Sequence, residues 1–189
     1  MTLKTFLLAA LLPIAALPIA ATAQTAITVV NPFFQDDTLE CSPGNCSSQY
    51  ITGWVVGPQT SVQKMSTTQY PTAPKAGLYV AAIGDTSASG SILQTLGITV
   101  QANTTYTLTL GVGARADYPF TGYLAALMAG NVTVASSNKA TPVGGNFVSD
   151  VIEYSSGATP AQLGKPLQIF VKSTGTGQVN IGKVTLTMQ

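Results

Sequence analysis

Seven carboxylates and no histidine set the limits of any chemistry this 189-residue chain could perform. Without imidazole there is no Ser-His-Asp or Cys-His relay and no histidine-ligated zinc. Proton transfer would fall to carboxyl, tyrosine or lysine groups. Asp150 stands between Val148 and Ile152 and shares their parity with Tyr154, which places a carboxyl in apolar company. A buried acid of that kind is protonated, paired or functional, because an unpaired buried charge is too costly to keep. It reads either as a site acid or as a paired edge-strand residue, and the second carries more weight. Asp117 lies in an aromatic loop beside Arg115, the single arginine, where a local ion pair outweighs a catalytic role. Asp36, Asp37 and Glu40 form a third acidic group, read as a solvated turn or as part of a calcium site.

The aromatic residues suggest binding as readily as catalysis. Tyr118, Phe120, Tyr70 and Phe170 occupy loop or opposite-parity positions that would leave a ring near the surface to receive a ligand. Ordinary packing under long loops is their competing account. Trp54, the only tryptophan, follows Gly53 and reads as core ahead of an exposed platform. Gly111, Gly113 and Ala116 imitate a dinucleotide fingerprint, but Asp117-Tyr118-Pro119-Phe120 follows where a helix would have to begin. A Gly-loosened strand end explains them better.

Positioning such residues falls to strands. From Thr105 to Val112 the alternation is strict, with Tyr106, Leu108, Leu110 and Val112 on one side and Thr105, Thr107 and Thr109 on the other. Further strands are expected at Ala26 to Val30, Tyr50 to Val56, Ser61 to Met65, Leu78 to Ile83, Tyr123 to Ala129, Val132 to Ala135, Phe147 to Tyr154, Leu167 to Ser173 and Val179 to Met188. Gly130-Asn131 suits a two-residue hairpin, and Thr174 to Gln178 reads as a Gly-rich hairpin turn. Val179 and Ile181 share one parity while Val184, Leu186 and Met188 share the other, so a bulge is expected near Gly182-Lys183. About ten short strands without a helical period predict an all-β, antiparallel β-sandwich of jelly-roll type.

Residues 1–23 read as a signal peptide, with an apolar run from Phe6 to Ala21 and Ala21-Thr22-Ala23 before Gln24. Residues 24–189 are expected to form a single jelly-roll domain, secreted or periplasmic, with no membrane span in the mature chain. Charged residues make up 8% of the sequence, against roughly 25% in an average soluble domain. Such a surface releases few phosphate counterions, so nucleic acid is excluded as a partner. Cys41 and Cys46 enclose four residues and are expected to form a local disulfide. Asn45, Asn103 and Asn131 begin glycosylation sequons, which matter only in a eukaryotic secretory host.

The motifs Asn31-Pro32-x-Phe34, Gly53-Trp54, Leu93-Gln94-Thr95-Leu96, Ala102-Asn103-Thr104-Thr105-Tyr106-Thr107-Leu108, Gly122-Tyr123, Gly164-Lys165-Pro166-Leu167 and Gly177-Gln178-Val179-Asn180 span nearly all of residues 24–189. Together they resemble the exported jelly-roll modules that include the hapalindole-type (Stig) cyclases. More distantly they are similar to calcium-containing carbohydrate-binding modules. The resemblance implies a structural calcium held partly by two acids, but those positions here are Gln35 and Gly182, so the family site is degraded. It also implies acid-assisted cyclisation of a hydrophobic terpenoid-type substrate in an aromatic pocket, with Asp150 or Asp117 as proton donor.

The main expectation is therefore an exported module that binds a glycan or cell-surface polymer. The alternative is a Stig-cyclase-like enzyme acting on a small hydrophobic ligand, and a structural surface protein is the third reading. No cofactor is required by the residues themselves.

Overall fold

A computed structural model describes residues 23–43, 45–72 and 78–189. The expected signal peptide therefore lies almost wholly outside the described residues. Thirteen strands are described: β1 (Thr25–Ile27), β2 (Glu40–Ser42), β3 (Asn45–Ser48), β4 (Val55–Val56), β5 (Thr60–Met65), β6 (Leu78–Ile83) and β7 (Ser91–Thr99). They continue with β8 (Thr105–Ala114), β9 (Tyr123–Ala129), β10 (Val132–Ser137), β11 (Asn146–Ser155), β12 (Pro166–Ser173) and β13 (Val179–Met188). There is no helix among the described residues.

The strands form a jelly-roll sandwich of two antiparallel sheets. One has eight strands in the order β11-β8-β13-β6-β5-β3-β2, with β1 paired to the C-terminal part of β13. The other has five, in the order β10-β9-β12-β7-β4. Tyr106, Leu108, Leu110 and Val112 of β8 are buried, as are Leu167, Ile169 and Val171 of β12 in the facing sheet. Period-two alternation thus puts one face of each sheet into a common core. The register of β13 on β8 shifts between Ile181 and Lys183, where the sequence calls for a bulge. That shift keeps Val179 and Ile181 in the same core as Val184 and Leu186.

Several expectations change. Thr174 to Gln178 is not a hairpin turn: β12 and β13 belong to different sheets, so this segment crosses between the layers. The strand expected from Tyr50 to Val56 shrinks to Val55–Val56. Its first half is a turn, with Trp54 N–H donating to the Ile51 carbonyl at 3.0 Å and Gly53 at φ +82°. The cysteines lie on paired antiparallel strands, β2 and β3, with Cys41 directly opposite Cys46 and the two joined by the expected disulfide. The first strand stops at Ile27, because Val30 is claimed by a side chain instead of a strand. Gln94, buried in β7, accepts from Val30 N–H at 2.9 Å and donates to the Val30 carbonyl at the same distance.

That reciprocal amide pair ties the N-terminal segment to the five-stranded sheet. Replacing Gln94 by leucine leaves both Val30 groups without their Gln94 partner, at a cost of about 2 kcal/mol. Urea unfolding should show a lower midpoint with an unchanged slope. An unshifted midpoint would mean that water replaces the amide at no cost.

Candidate functional site

The outer face of the eight-stranded sheet carries the polar residues that burial does not claim. In β5, Val62 points into the core, so Ser61 and Gln63 face outward. In β6 the outward positions are Val80 and Ala82, and at the start of β13 Asn180 lies outward, paired across the ladder with Ala82. These strands form the floor of a groove of about 490 Å³ lined by Gln49, Gln59, Thr60, Ser61, Gln63, Asp85 and Gln178, with Val56, Gly57, Pro58, Ala82 and Gly84 completing it. No aromatic side chain lines it among the described residues.

At one end of this groove a second set of residues is locked together. Arg115 donates through Nε to Asp117 Oδ1 at 2.9 Å and through Nη2 to Asp117 Oδ2 at 2.8 Å. Its Nη1 reaches Gln178 Oε1 at 3.3 Å, and its guanidinium lies 5.1 Å from the centroid of the Tyr118 ring. Tyr118 in turn accepts from Thr86 N–H at 3.2 Å. The Arg115 hydrogen bonds hold the Asp117 carboxyl below the usual carboxylate range. Asp117 is therefore ionised at neutral pH and is a poor proton donor. Asp85 in the groove is lowered as well, first by the Ser87 hydroxyl and then by the Ala88 and Ser87 N–H groups. Both acids are acceptors.

Asp150 is elsewhere. It is buried, at 5% exposure, on the core-facing side of edge strand β11, and it reaches across to the other sheet. It accepts from the Tyr123 hydroxyl and from Ser137 Oγ at 2.9 Å, while Ala140 N–H donates to Tyr123 Oη at 3.0 Å. This network joins β9, β10 and β11, and neither Asp150 nor its partners line the groove. The structure thus places Asp150 as a paired inter-sheet residue.

Of the aromatic candidates, Tyr118 lies beside the groove, and Phe120 is half-buried against Tyr123, 6.5 Å between centroids. Phe170 is half-buried on β12, in the other sheet. Trp54 lies in the core, the reading given more weight, whereas the expected exposure of Tyr70 fails. Trp54 is buried against Phe34 with its Nε1 donating to the Val30 carbonyl at 3.1 Å. Tyr70, expected near the surface, is buried: it stacks on Phe147 at 4.7 Å and accepts from Asn180 Nδ2 at 2.7 Å. The glycines beneath explain this packing. A Cβ at Gly113 would lie 2.5 Å from the Phe147 ring, so only glycine leaves room for the stacked pair.

The residues at the calcium positions do not fit that ion. Gln35 brings no carboxylate, and a Cβ at Gly182 would stand 2.9 Å from the Phe147 ring, which fills the space a ligating side chain would need. Asp37 is already an acceptor for Thr52 Oγ1 at 2.6 Å, Thr52 N–H at 3.0 Å and Asn31 Nδ2 at 3.0 Å. Asp36, Asp37 and Glu40 do not converge, and no group of three acidic, cysteine or histidine side chains comes together among the described residues.

Two consequences can be measured. Asp150→Ala strands two hydroxyls between the sheets and should cost about 3 kcal/mol in chemical denaturation, whereas Asp150→Asn, which keeps an acceptor, should cost less. Equal losses would deny the network its role. Burial also raises the hydroxyl pKa of Tyr70 and of Tyr123, with the Asp150 contact adding to the second. A folded-state pKa above the unfolded value of about 10 gives stability that is complete below that pH and lost as pH rises beyond it. The urea midpoint should decline from about pH 10 upward, and less steeply in Tyr123→Phe. A midpoint that stays level there would contradict the assignment.

The architecture has solved counterparts. An apo cyclase from Fischerella sp. is 22% identical, with a TM-score of 0.76 over 88% of this chain and 97% of that one. A Stig cyclase from Fischerella sp. TAU, in complex with (3Z)-3-(1-methyl-2-pyrrolidinylidene)-3H-indole, is 20% identical, with a TM-score of 0.77 over 88% of this chain and 98% of that one. The carbohydrate-binding module TmCBM61, in complex with β-1,4-galactotriose, is 14% identical, with a TM-score of 0.55 over 86% of this chain and 98% of that one. At these identities the likeness is one of fold. No curated protein matches the sequence. The family model described as HpiC1 cyclase matches residues 25–187, and the chain belongs to the HpiC1-like cyclase family.

Proposed function

We propose that this chain is an exported binding module whose ligand, a glycan or cell-surface polymer, lies in the groove on the outer face of the eight-stranded sheet. The observation that carries the proposal is the lining of that groove. Gln49, Gln59 and Gln63, with Ser61 and the ionised Asp85, set amide, hydroxyl and carboxylate groups along it that match the alternating hydroxyls of a sugar, while Thr60 and Gln178 are buried and bonded within the wall. A hydrophobic terpenoid would need a predominantly apolar, aromatic wall.

Family membership favours a second reading, cyclase-type chemistry on a small hydrophobic ligand. That chemistry calls for a protonated carboxyl facing an aromatic cavity. Asp150 is engaged by Tyr123 and Ser137, Asp117 by Arg115, and the place of a side chain at residue 182 is taken by Phe147. No acid is left in the required setting among these candidates, so binding is the better account.

Calorimetric titration of the protein with soluble neutral polysaccharides tests the proposal. Gln63→Ala and Gln59→Ala should each weaken binding about tenfold, the equivalent of one well-made hydrogen bond. Conversion of an indole-isonitrile terpenoid, with no affinity for any glycan, would replace this reading by the cyclase. Self-association without any soluble ligand would favour a structural surface protein.

A further inference from the structure

The polar character of the groove does not end at its lining. Gln63 of β5 stands directly opposite Ser47 of β3, and Ser47 directly opposite Glu40 of β2. Directly opposed residues of antiparallel strands share a face. Glu40, Ser47 and Gln63 therefore form one polar row running across three strands towards the floor of the groove. On the β2-β3 side this row enters a second groove, of about 630 Å³, lined by Thr38, Glu40, Cys41, Ser42, Ser47, Ser48, Gln49 and Tyr50. Gln49 lines both grooves, so the two adjoin at that side chain.

Tyr50 gives the second groove what the first lacks. It is 66% exposed although the next residue, Ile51, is fully buried. Its backbone is held by Ser48, whose Oγ accepts from Tyr50 N–H at 3.2 Å and donates to the Tyr50 carbonyl at 3.1 Å. The disulfide between Cys41 and Cys46 fastens the strand pair that supplies the other wall. A solvated aromatic ring on a fixed backbone, rimmed by hydroxyls and an acid, suits the apolar face of a pyranose with its hydroxyls turned to the rim.

We infer that the two grooves form one extended cleft for a neutral oligosaccharide that crosses the strands, with Tyr50 as the stacking platform of a distal subsite. This rests on the glycan reading of the first groove and deepens it. The charge of the cleft selects the ligand: among the described residues Glu40 and Asp85 are the ionisable side chains that line it apart from the tyrosine, and no described lysine or arginine does. Uronic-acid polymers would meet two carboxylates, while the guanidinium at the end of the groove, Arg115, is already paired with Asp117.

Titration with β-1,4-linked trimers and hexamers of glucose, xylose, mannose and galactose tests this. A hexamer should bind at least about tenfold tighter than its trimer, since only the longer chain spans both subsites. Tyr50→Ala should abolish that advantage while leaving the trimer affinity unchanged, and Tyr50→Trp should preserve it. A polygalacturonate hexamer should not bind. If trimers bind and Gln63→Ala weakens them, but Tyr50→Ala leaves the hexamer advantage intact, the distal subsite is refuted while the first groove stands. Equal affinity for trimer and hexamer refutes it likewise, and silence towards every oligosaccharide removes both readings.

Discussion

Alternation of side chains along a strand is the constraint from which the rest of this molecule follows. The eight-stranded sheet must present a dry face to its partner, and β8 meets that demand with Tyr106, Leu108, Leu110 and Val112. Every residue committed to that face sends its neighbour outward, where only a small cluster of Met65, Tyr70, Val80, Ala82 and Phe147 has to be covered. Thr105, Thr107 and Thr109 of β8, and Ser61 and Gln63 of β5, are outward for this reason alone. The bulge in β13 matters most. Before it Val179 and Ile181 are the core residues, and after it Val184 and Leu186 are. Were the register continuous, the first pair would leave the core and Gln178 and Asn180 would have to enter it. The extra residue therefore rescues the core and places an amide at the end of the groove in the same step.

Much of the fold was legible because it depends on that period. The strands at Leu78 to Ile83, Tyr123 to Ala129 and Val179 to Met188 lie where alternation puts them, and the bulge was visible as a change of parity. The Gly130-Asn131 hairpin was readable too, since both residues adopt positive φ, +55° and +70°. Connectivity was less legible. A Gly-rich segment between two strands looks the same whether it reverses the chain within a sheet or carries it to the other one, and Thr174 to Gln178 does the latter. The turn at Ile51 to Trp54 was hidden because its residues have strand composition, while the buried tertiary contacts of Trp54 and Ile51 override that preference.

The site was harder to read than the fold. Its residues, among them Gln49, Ser61, Gln63 and Gln178, carry no motif, and their nearness comes from strand order β13-β6-β5-β3, which pairs segments far apart in sequence. Tyr50 looked like the first residue of a strand, whereas a side-chain turn through Ser48 leaves it exposed. Tyr70 misled in the opposite direction. A loop position suggested a surface ring, yet Gly113 and Gly182 leave a depression in the sheet that Tyr70 and Phe147 fill as a stacked pair. Glycines on the outer face of a strand were the available signal, for they mark where something else comes close.

A shared sandwich does not carry its chemistry with it, because the chemistry depends on where protons can be held. In this chain the acids in and beside the first groove are committed as acceptors: Asp117 to Arg115, and Asp85 to the donors of its own turn. Asp150, the buried acid among the described residues, receives two hydroxyls and joins the sheets at their edge. An aromatic pair occupies the space that a side chain at position 182 would claim, so the same substitution that empties the acid position also closes the sheet over it. The groove between β5 and the start of β13 is lined instead by amides, hydroxyls and Asp85, an acid that the donors of its own turn hold below the usual carboxylate range.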